Sequence, residues 1–310
     1  MTQIMKGTVV YGANNIFTVL PGESEGRTGS ALSTGDGEPG SEEAAYLCRI
    51  KGKVLKQARE AYNPLAPGDG VSFVPDGSRE RRGLITERLP RENAFIRWNA
   101  KRGAPQAVAA NLDMVVCVAS VGTPPFRPRF IDRVLIAAGD IPAAVVINKN
   151  DLSAESWEEE RIAGFRNIGY HVYRCSARTG EGIEEIRRLT AGRRTVFIGQ
   201  SGVGKSSILN HILPGADLEV GEVSAKYDRG RHTTKNARMF IVPSVADQEA
   251  PGHYARGTEL IDTPGIRRIE LYGVTASGLD EHFPEFRPYL GDCSFNPCSH
   301  RSEPGCRVKE

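Results

Sequence analysis

The run Gly199-Gln200-Ser201-Gly202-Val203-Gly204-Lys205-Ser206 constrains this chain more than any other feature. It fits G-x-x-x-x-G-K-S and sits between an apolar stretch, 195–198, and a short helix-like one, 207–212. That context calls for strand, loop and helix in succession. In such a loop the glycines let backbone N–H groups close around phosphate oxygens, and the helix amino terminus adds a favourable dipole. Lys205 is placed for the β- and γ-phosphates, the Ser206 hydroxyl for Mg²⁺, and Ser207 follows in the first helical turn. A loop of this kind rides on a mostly parallel sheet, and the chain beyond Ala107 supplies one. Apolar runs at 114–118, 143–147, 171–173, 195–198 and 259–261 alternate with helix-like stretches at 129–138, 154–167 and 182–189. The pattern predicts a parallel sheet covered on both faces.

Three further loops follow predicted strands. Asp262-Thr263-Pro264-Gly265 puts a carboxylate at a strand end, where it can hold Mg²⁺ through water while the Gly265 N–H meets a γ-phosphate. Asn148-Lys149-Asn150-Asp151 supplies an acid able to accept both guanine N1–H and the exocyclic amine, a pattern adenine lacks. There Lys149 lies along the base plane and Asn148 ties its loop to the phosphate loop. Ser176-Ala177, after the next strand, can direct a backbone N–H to guanine O6. Together these motifs favour GTP and GDP over adenine nucleotides, and N-K-x-D argues against a P-loop kinase.

The first hundred residues read differently. Short strand-like runs at 6–10, 16–20, 46–54, 70–74 and 83–87 are broken by Pro, Gly and Asn, which suggests a small β-barrel. Residues 23–43 are rich in Gly, Ser, Thr and Glu, with almost nothing to bury, and read as a mobile insertion in a barrel loop. The net charge of +2 conceals a balance of −5 over 21–46 and +5 over 79–102, with a second basic run over 223–238. The basic runs point to a polyanionic partner. Arg79, Arg81, Arg82, Arg88, Arg91, Arg97, Lys101 and Arg102 accompany Phe95 and Trp98; we expect Trp98 to pack and some of the arginines to meet RNA phosphate. No apolar run reaches the roughly 18 residues that span a bilayer, and the first ten residues lack a signal-peptide core, so a cytoplasmic location is expected.

Cys293, Cys298, His300 and Cys306 crowd the last stretch, which has little else to hold it in shape. Three thiolates and an imidazole match a closed, tetrahedral and therefore structural Zn²⁺ site.

The order of the nucleotide motifs is unusual. Asn148–Asp151 and Ser176-Ala177 precede the phosphate loop, and Asp262–Gly265 comes last, as in a circularly permuted relative of translation-factor-like GTPases. A β-barrel, a permuted GTPase and a C-x₄-C-x-H-x₅-C tail, with Gly230-Arg-His232-Thr233-Thr234 and Pro90-Arg-Glu-Asn93, resemble the small ribosomal subunit biogenesis GTPase RsgA family over nearly the full length. The resemblance implies an OB-like all-β barrel (1–103), a central α/β permuted P-loop GTPase (104–275) and a small zinc-binding unit (276–310). It implies a monomer that binds the 30S ribosomal subunit and its 16S rRNA in the GTP state and leaves after subunit-stimulated hydrolysis. Ile266 stands where Ras-like enzymes place a water-orienting Gln, and the resemblance nominates His232 instead, with Lys205 and Thr234 as the other catalytic groups. Thr234 is the expected switch I ligand of Mg²⁺, beside Ser206 and Asp262, with Thr233 close behind. Two departures stand out: the acidic insertion, and an end four residues past Cys306 where the family continues into a helical tail. The rival readings are a permuted GTPase acting on the large subunit, and a GTP-dependent RNA-binding scaffold with incidental hydrolysis.

Overall fold

A computed structural model describes residues 3–13, 15–22, 45–51, 63–77, 80–213, 218, 236–242 and 257–310. The acidic insertion and residues His232, Thr233 and Thr234 lie outside the described residues.

The five amino-terminal strands form as the alternation predicts: β1 (Met5–Ala13), β2 (Ile16–Pro21), β3 (Tyr46–Ile50), β4 (Gly70–Pro75) and β5 (Arg82–Arg88). They close in the order β1-β2-β3-β5-β4-β1, with β3 and β5 parallel, which is an OB-type barrel. Period-two patterning turns Val9, Phe17, Val19, Cys48, Val71, Phe73 and Ile85 into one small core.

Next come β6 (Ala94–Asn99) and β7 (Ala104–Ala110), a separate two-stranded hairpin. The expected unit boundary at 103/104 falls in its turn. Phe95 is fully buried, and it packs into the core of the central layer rather than of the barrel.

The central layer contains β8 (Met114–Ser120), α1 (Pro128–Ala138), β9 (Ala143–Asn148), α2 (Ser156–Asn167), β10 (His171–Arg174), α3 (Ile183–Thr190), β11 (Arg194–Gly199), α4 (Lys205–Ile212), β12 (Arg238–Val242) and β13 (Thr258–Asp262). Strands β10-β9-β8-β11-β13 are parallel in that spatial order. Their continuous apolar runs follow from cover on both faces. Val115 and Cys117 of β8 face the side of Ile131, Val134 and Ile162, whereas Val116 and Val118 face that of Ile186, Ile208 and Leu209. β12, absent from the sequence expectation, pairs antiparallel with β13 and touches β1 at Tyr11–Arg238, joining barrel and central layer in one sheet.

The seam between them is polar and closed. Asp69, fully buried, takes Arg91 through Nε (2.6 Å) and Nη2 (2.8 Å). Asn93 exchanges two hydrogen bonds with Leu112, at 2.9 and 2.8 Å. Arg194 pairs with Glu259 and donates to the Gly68 carbonyl at 3.0 Å. Pro90-Arg-Glu-Asn93 is therefore a latch, and Arg91 is withdrawn from the basic run expected to serve RNA. Trp98 packs, as expected, against Tyr272.

Beyond β13 the chain forms three short 3-10 turns, Ala276–Gly278, Asp280–His282 and Arg287–Tyr289. Among the described residues no helix is long and apolar enough to cross a membrane.

Candidate nucleotide site and metal cluster

Because β9, β10, β11 and β13 run parallel, their carboxyl ends meet at one edge of the sheet, where ligands of open α/β sheets bind. The phosphate loop leaves β11 there. Gly204 has φ +91° and a Cβ on it would come within 2.2 Å of Asn148 Nδ2, so only glycine fits. α4 starts at Lys205 with no side-chain cap, which leaves its first N–H groups open to an anion. The buried Lys205 ammonium donates to the Gly199 and Gln200 carbonyls at 3.1 Å each. Burial lowers its pKa, opposed chiefly by Asp262.

Asp262 lies opposite Phe197 in the register of β13 on β11. Its Oδ2 accepts from Ser206 Oγ at 3.2 Å, whereas Oδ1 is buried and has no hydrogen-bond partner. Burial raises its pKa, with Lys205 as the main opposing charge. An uncommitted carboxylate oxygen beside a hydroxyl is a hard-oxygen donor set that fits Mg²⁺. Gly265 approaches the phosphate loop so closely that a Cβ would lie 2.6 Å from Ser201 Cα. Ile266 donates its N–H to Gly199 O at 3.0 Å while its side chain enters the core. The position after the D-x-x-G glycine thus offers no polar group.

Asn148 is the hinge pin of the base side. Its Nδ2 donates to Val203 O of the phosphate loop at 2.8 Å, and its Oδ1 accepts from Ala177 N at 3.0 Å. Of the backbone N–H groups in this loop, that of Ala177 is engaged by Asn148, and its contact with guanine O6 requires sharing it. Lys149 adopts φ +64° and its Nζ donates to Thr123 O. Asp151 accepts from Ser176 Oγ (2.5 Å) and Arg178 Nε (2.8 Å). These bonds, the Ser176 hydroxyl first, hold the Asp151 carboxyl below the usual carboxylate range. Arg178 escaped the sequence reading, although its signal was there: it directly follows Ser176-Ala177.

The folded chain brings together Asn148, Lys149, Asp151, Ser176, Ala177, the 199–207 loop and helix start, Asp262 and Gly265. At the carboxyl end, the ligand atoms of Cys293, Cys298, His300 and Cys306 all lie within 4.8 Å of one another. His300 Nδ1 is 3.6 Å from Cys293 Sγ and 3.4 Å from Cys306 Sγ. Tetrahedral Zn²⁺ with ordinary bond lengths sets sulfur and nitrogen about 3.6 Å apart, and both His300–sulfur distances match that spacing. His300 Nε2 bonds to Asp280 Oδ2 at 3.2 Å, the outer-shell carboxylate typical of zinc-bound histidine. Glu303 accepts N–H bonds from Ser299, Arg301 and Ser302, tightening the loop between the last ligands. Neither acid carries a sequence signal, since acidic residues near a cysteine cluster are commonplace.

A parallel sheet that carries G-x-x-x-x-G-K-S, D-x-x-G, N-K-x-D and Ser-Ala at its strand ends in this permuted order defines a circularly permuted P-loop GTPase. Comparison with known proteins narrows that class. The family profile described as RsgA GTPase matches residues 88–272. A small ribosomal subunit biogenesis GTPase RsgA from Borrelia garinii subsp. bavariensis is 35% identical over 302 residues, covering 97% of this chain and 88% of the relative. One of the same name from Moorella thermoacetica is 38% identical over 274 residues, covering 86% and 83%. Among solved structures, YjeQ from Thermotoga maritima superposes with a TM-score of 0.65 at 28% identity, covering 99% of this chain and 90% of that one. YloQ, described as a circularly permuted GTPase, gives 0.60 at 26% identity, covering 99% and 87%. The chain belongs to the RsgA GTPase family.

Proposed function

We propose that this chain binds GTP at the joined phosphate and base loops, hydrolyses it, and uses the cycle to assist late maturation of the small (30S) ribosomal subunit on its 16S rRNA. The observation that supports the nucleotide part best is the Asn148 bridge, by which one side chain of N-K-x-D links the phosphate loop to the Ser176-Ala177 loop. The subunit follows from the role for which the relatives are named.

On GTP binding, Lys205 exchanges two loop carbonyls for β- and γ-phosphate oxygens. Ser206 and Asp262 would hold Mg²⁺, with Thr234, or Thr233 beside it, completing the set from switch I. Mg²⁺ held there would supply positive charge to offset what develops as the γ-phosphoryl leaves. Asp151 accepts the two guanine donors, and Lys149 covers the base. Since Ile266 faces the core, we assign the orientation of the attacking water to His232. The cysteine and histidine ligands hold one structural Zn²⁺ and leave no protein position open for substrate. We further propose a cytoplasmic monomer divided at 1–103, 104–275 and 276–310, tightly bound to the subunit with GTP and weakly with GDP.

GTP turnover measured alone, with 30S subunits and with 50S subunits at matched salt tests this. Stimulation by 30S alone is expected. Stimulation by 50S alone redirects the reading to the large subunit, and stimulation by neither removes its ribosomal half.

A further inference from the structure

We infer that residues 264–272 form a taut strap joining the γ-phosphate sensor to the β6–β7 hairpin, and that Trp98 is the positioning residue at its far end. The strap begins at Gly265, packed against Ser201 of the phosphate loop. One residue on, the Ile266 N–H bonds to Gly199 O at 3.0 Å. Ile266 and Ile269 are 7% and 0% exposed, both anchored in the core shared by α1 and the sheet. Arg133 of α1 donates to Ile269 O at 3.0 Å. The Trp98 backbone N–H then donates to Glu270 O at 2.8 Å, and its side chain adds only the indole stack on Tyr272, with centroids 6.3 Å apart and planes 7° from parallel.

The segment after the D-x-x-G glycine is where GTPases register loss of the γ-phosphate. A loose loop absorbs that displacement locally. This segment is attached at nearly every second residue, to the phosphate loop, the core, α1 and the hairpin in turn. Packed interiors yield little, so a shift at Gly265 passes along the strap to its end. That end faces outward. A cleft of about 820 Å³ lies between hairpin, strap and barrel, with Arg97 and Lys101 on the hairpin wall and Arg267 and Arg268 on the strap wall. Glu270 lines it too and pairs with Arg268 at 3.7 Å, which leaves Arg97, Lys101 and Arg267 to meet a polyanionic strand from both walls. By linkage, whatever fixes the hairpin also biases Gly265, and the γ-phosphate biases the hairpin in return. The RNA half of this inference rests on the proposed function; the nucleotide half rests only on the GTPase fold and site.

The chain has two tryptophans, and a Trp157→Phe variant leaves Trp98 as the reporter. Its emission is compared in the full chain with GDP·Mg²⁺ and with a non-hydrolysable GTP analogue·Mg²⁺. A resolved difference that saturates with the analogue is expected, and identical spectra in the two states overturn the strap. In the second arm, Trp98→Ala should lose roughly 5- to 150-fold of 30S-stimulated turnover, the range of ordinary site coupling. Its unstimulated turnover and GDP affinity should stay within about twofold, and Trp98→Phe, which keeps an aromatic face for Tyr272, should restore most of the loss. Full stimulation in Trp98→Ala overturns the role of Trp98. Absence of 30S stimulation in the parent chain refutes the ribosomal reading, while the emission arm still decides the strap.

Discussion

Asn148→Ala removes a side chain that bonds to both the phosphate loop and the Ser176-Ala177 loop. Its first loss is the 2.8 Å bond to Val203 O, on a residue 2% exposed. A buried carbonyl left without a donor costs about 2 kcal/mol. The second loss is the 3.0 Å bond from Ala177 N, on a half-buried loop that water reaches, worth about 1 kcal/mol. The 3.5 Å thiol contact from Cys175 adds little. About 3 kcal/mol of registration between the two loops is removed, equivalent to ~150-fold in an equilibrium constant. Because the ligand needs both loops in register, most of this should appear as weaker GDP binding. The share carried by the unliganded fold should appear as a lower melting temperature, at roughly 2–4 °C per kcal/mol for a chain of this size. Dissociation of a fluorescent GDP derivative and thermal unfolding of the same preparation measure the two shares. Base selectivity should survive, since Asp151 is untouched. GDP affinity within threefold of the parent, with an unchanged melting temperature, refutes the bridge.

Asp151→Asn should shift preference from guanine towards xanthine nucleotides, because the amide cannot accept two donors; unchanged selectivity in competition binding removes the base-reading role. The same carboxylate gives a pH test. Its protonated form cannot accept both guanine donors, so affinity is lost as pH falls through its pKa, which the Ser176 hydroxyl holds low. Ser176→Ala should move that acid limb to higher pH in GDP titrations between about pH 4 and 7, and an unmoved limb refutes the assignment. Asp280→Ala should weaken zinc binding roughly 10- to 100-fold in chelator competition, with Asp280→Asn intermediate because its carbonyl still accepts from Nε2; affinity equal to the parent in both variants refutes an orienting role.

Local chemistry made the nucleotide loops legible before folding. A phosphate loop needs glycines at fixed offsets, and N-K-x-D needs its strand, so both are written in consecutive residues. The buried parallel strands were legible for a related reason: cover on both faces makes them continuous apolar runs. What escaped depends on partners far away in sequence. β12, Arg238–Val242, is a short strand whose identity comes from pairing with β13 and touching β1. The β6–β7 hairpin lay hidden in a basic run, because Phe95 is an isolated anchor whose core lies across the seam. Arg91 belongs by sequence to a basic run, and Asp69, 22 residues away, withdraws it. Asp280 serves His300 from 20 residues upstream. Spacing reveals the four metal ligands but not the acid behind the histidine.

Circular permutation leaves the site's geometry alone and changes what is attached to it. The nucleotide loops project from the ends of β9, β10, β11 and β13, whose order in the sheet does not depend on where the chain begins. In this order, the chain leaves β13 through Asp262–Gly265 and reaches the metal cluster only after the strap. The anchors at Ile266, Ile269 and Glu270 therefore stand between the γ-phosphate sensor and the zinc unit. Loss of zinc should then be felt on one side of them and not on the other. Chelation of the full chain should raise amide hydrogen exchange from about residue 276 onward, where turns and metal supply most of the order. Exchange over 262–270 should be unchanged, and GDP affinity should stay within about twofold, because those residues are held by the core and the phosphate loop. Parallel loss of protection on both sides, or nucleotide release on chelation, would mean that the zinc unit, and not the strap, holds the sensor in place.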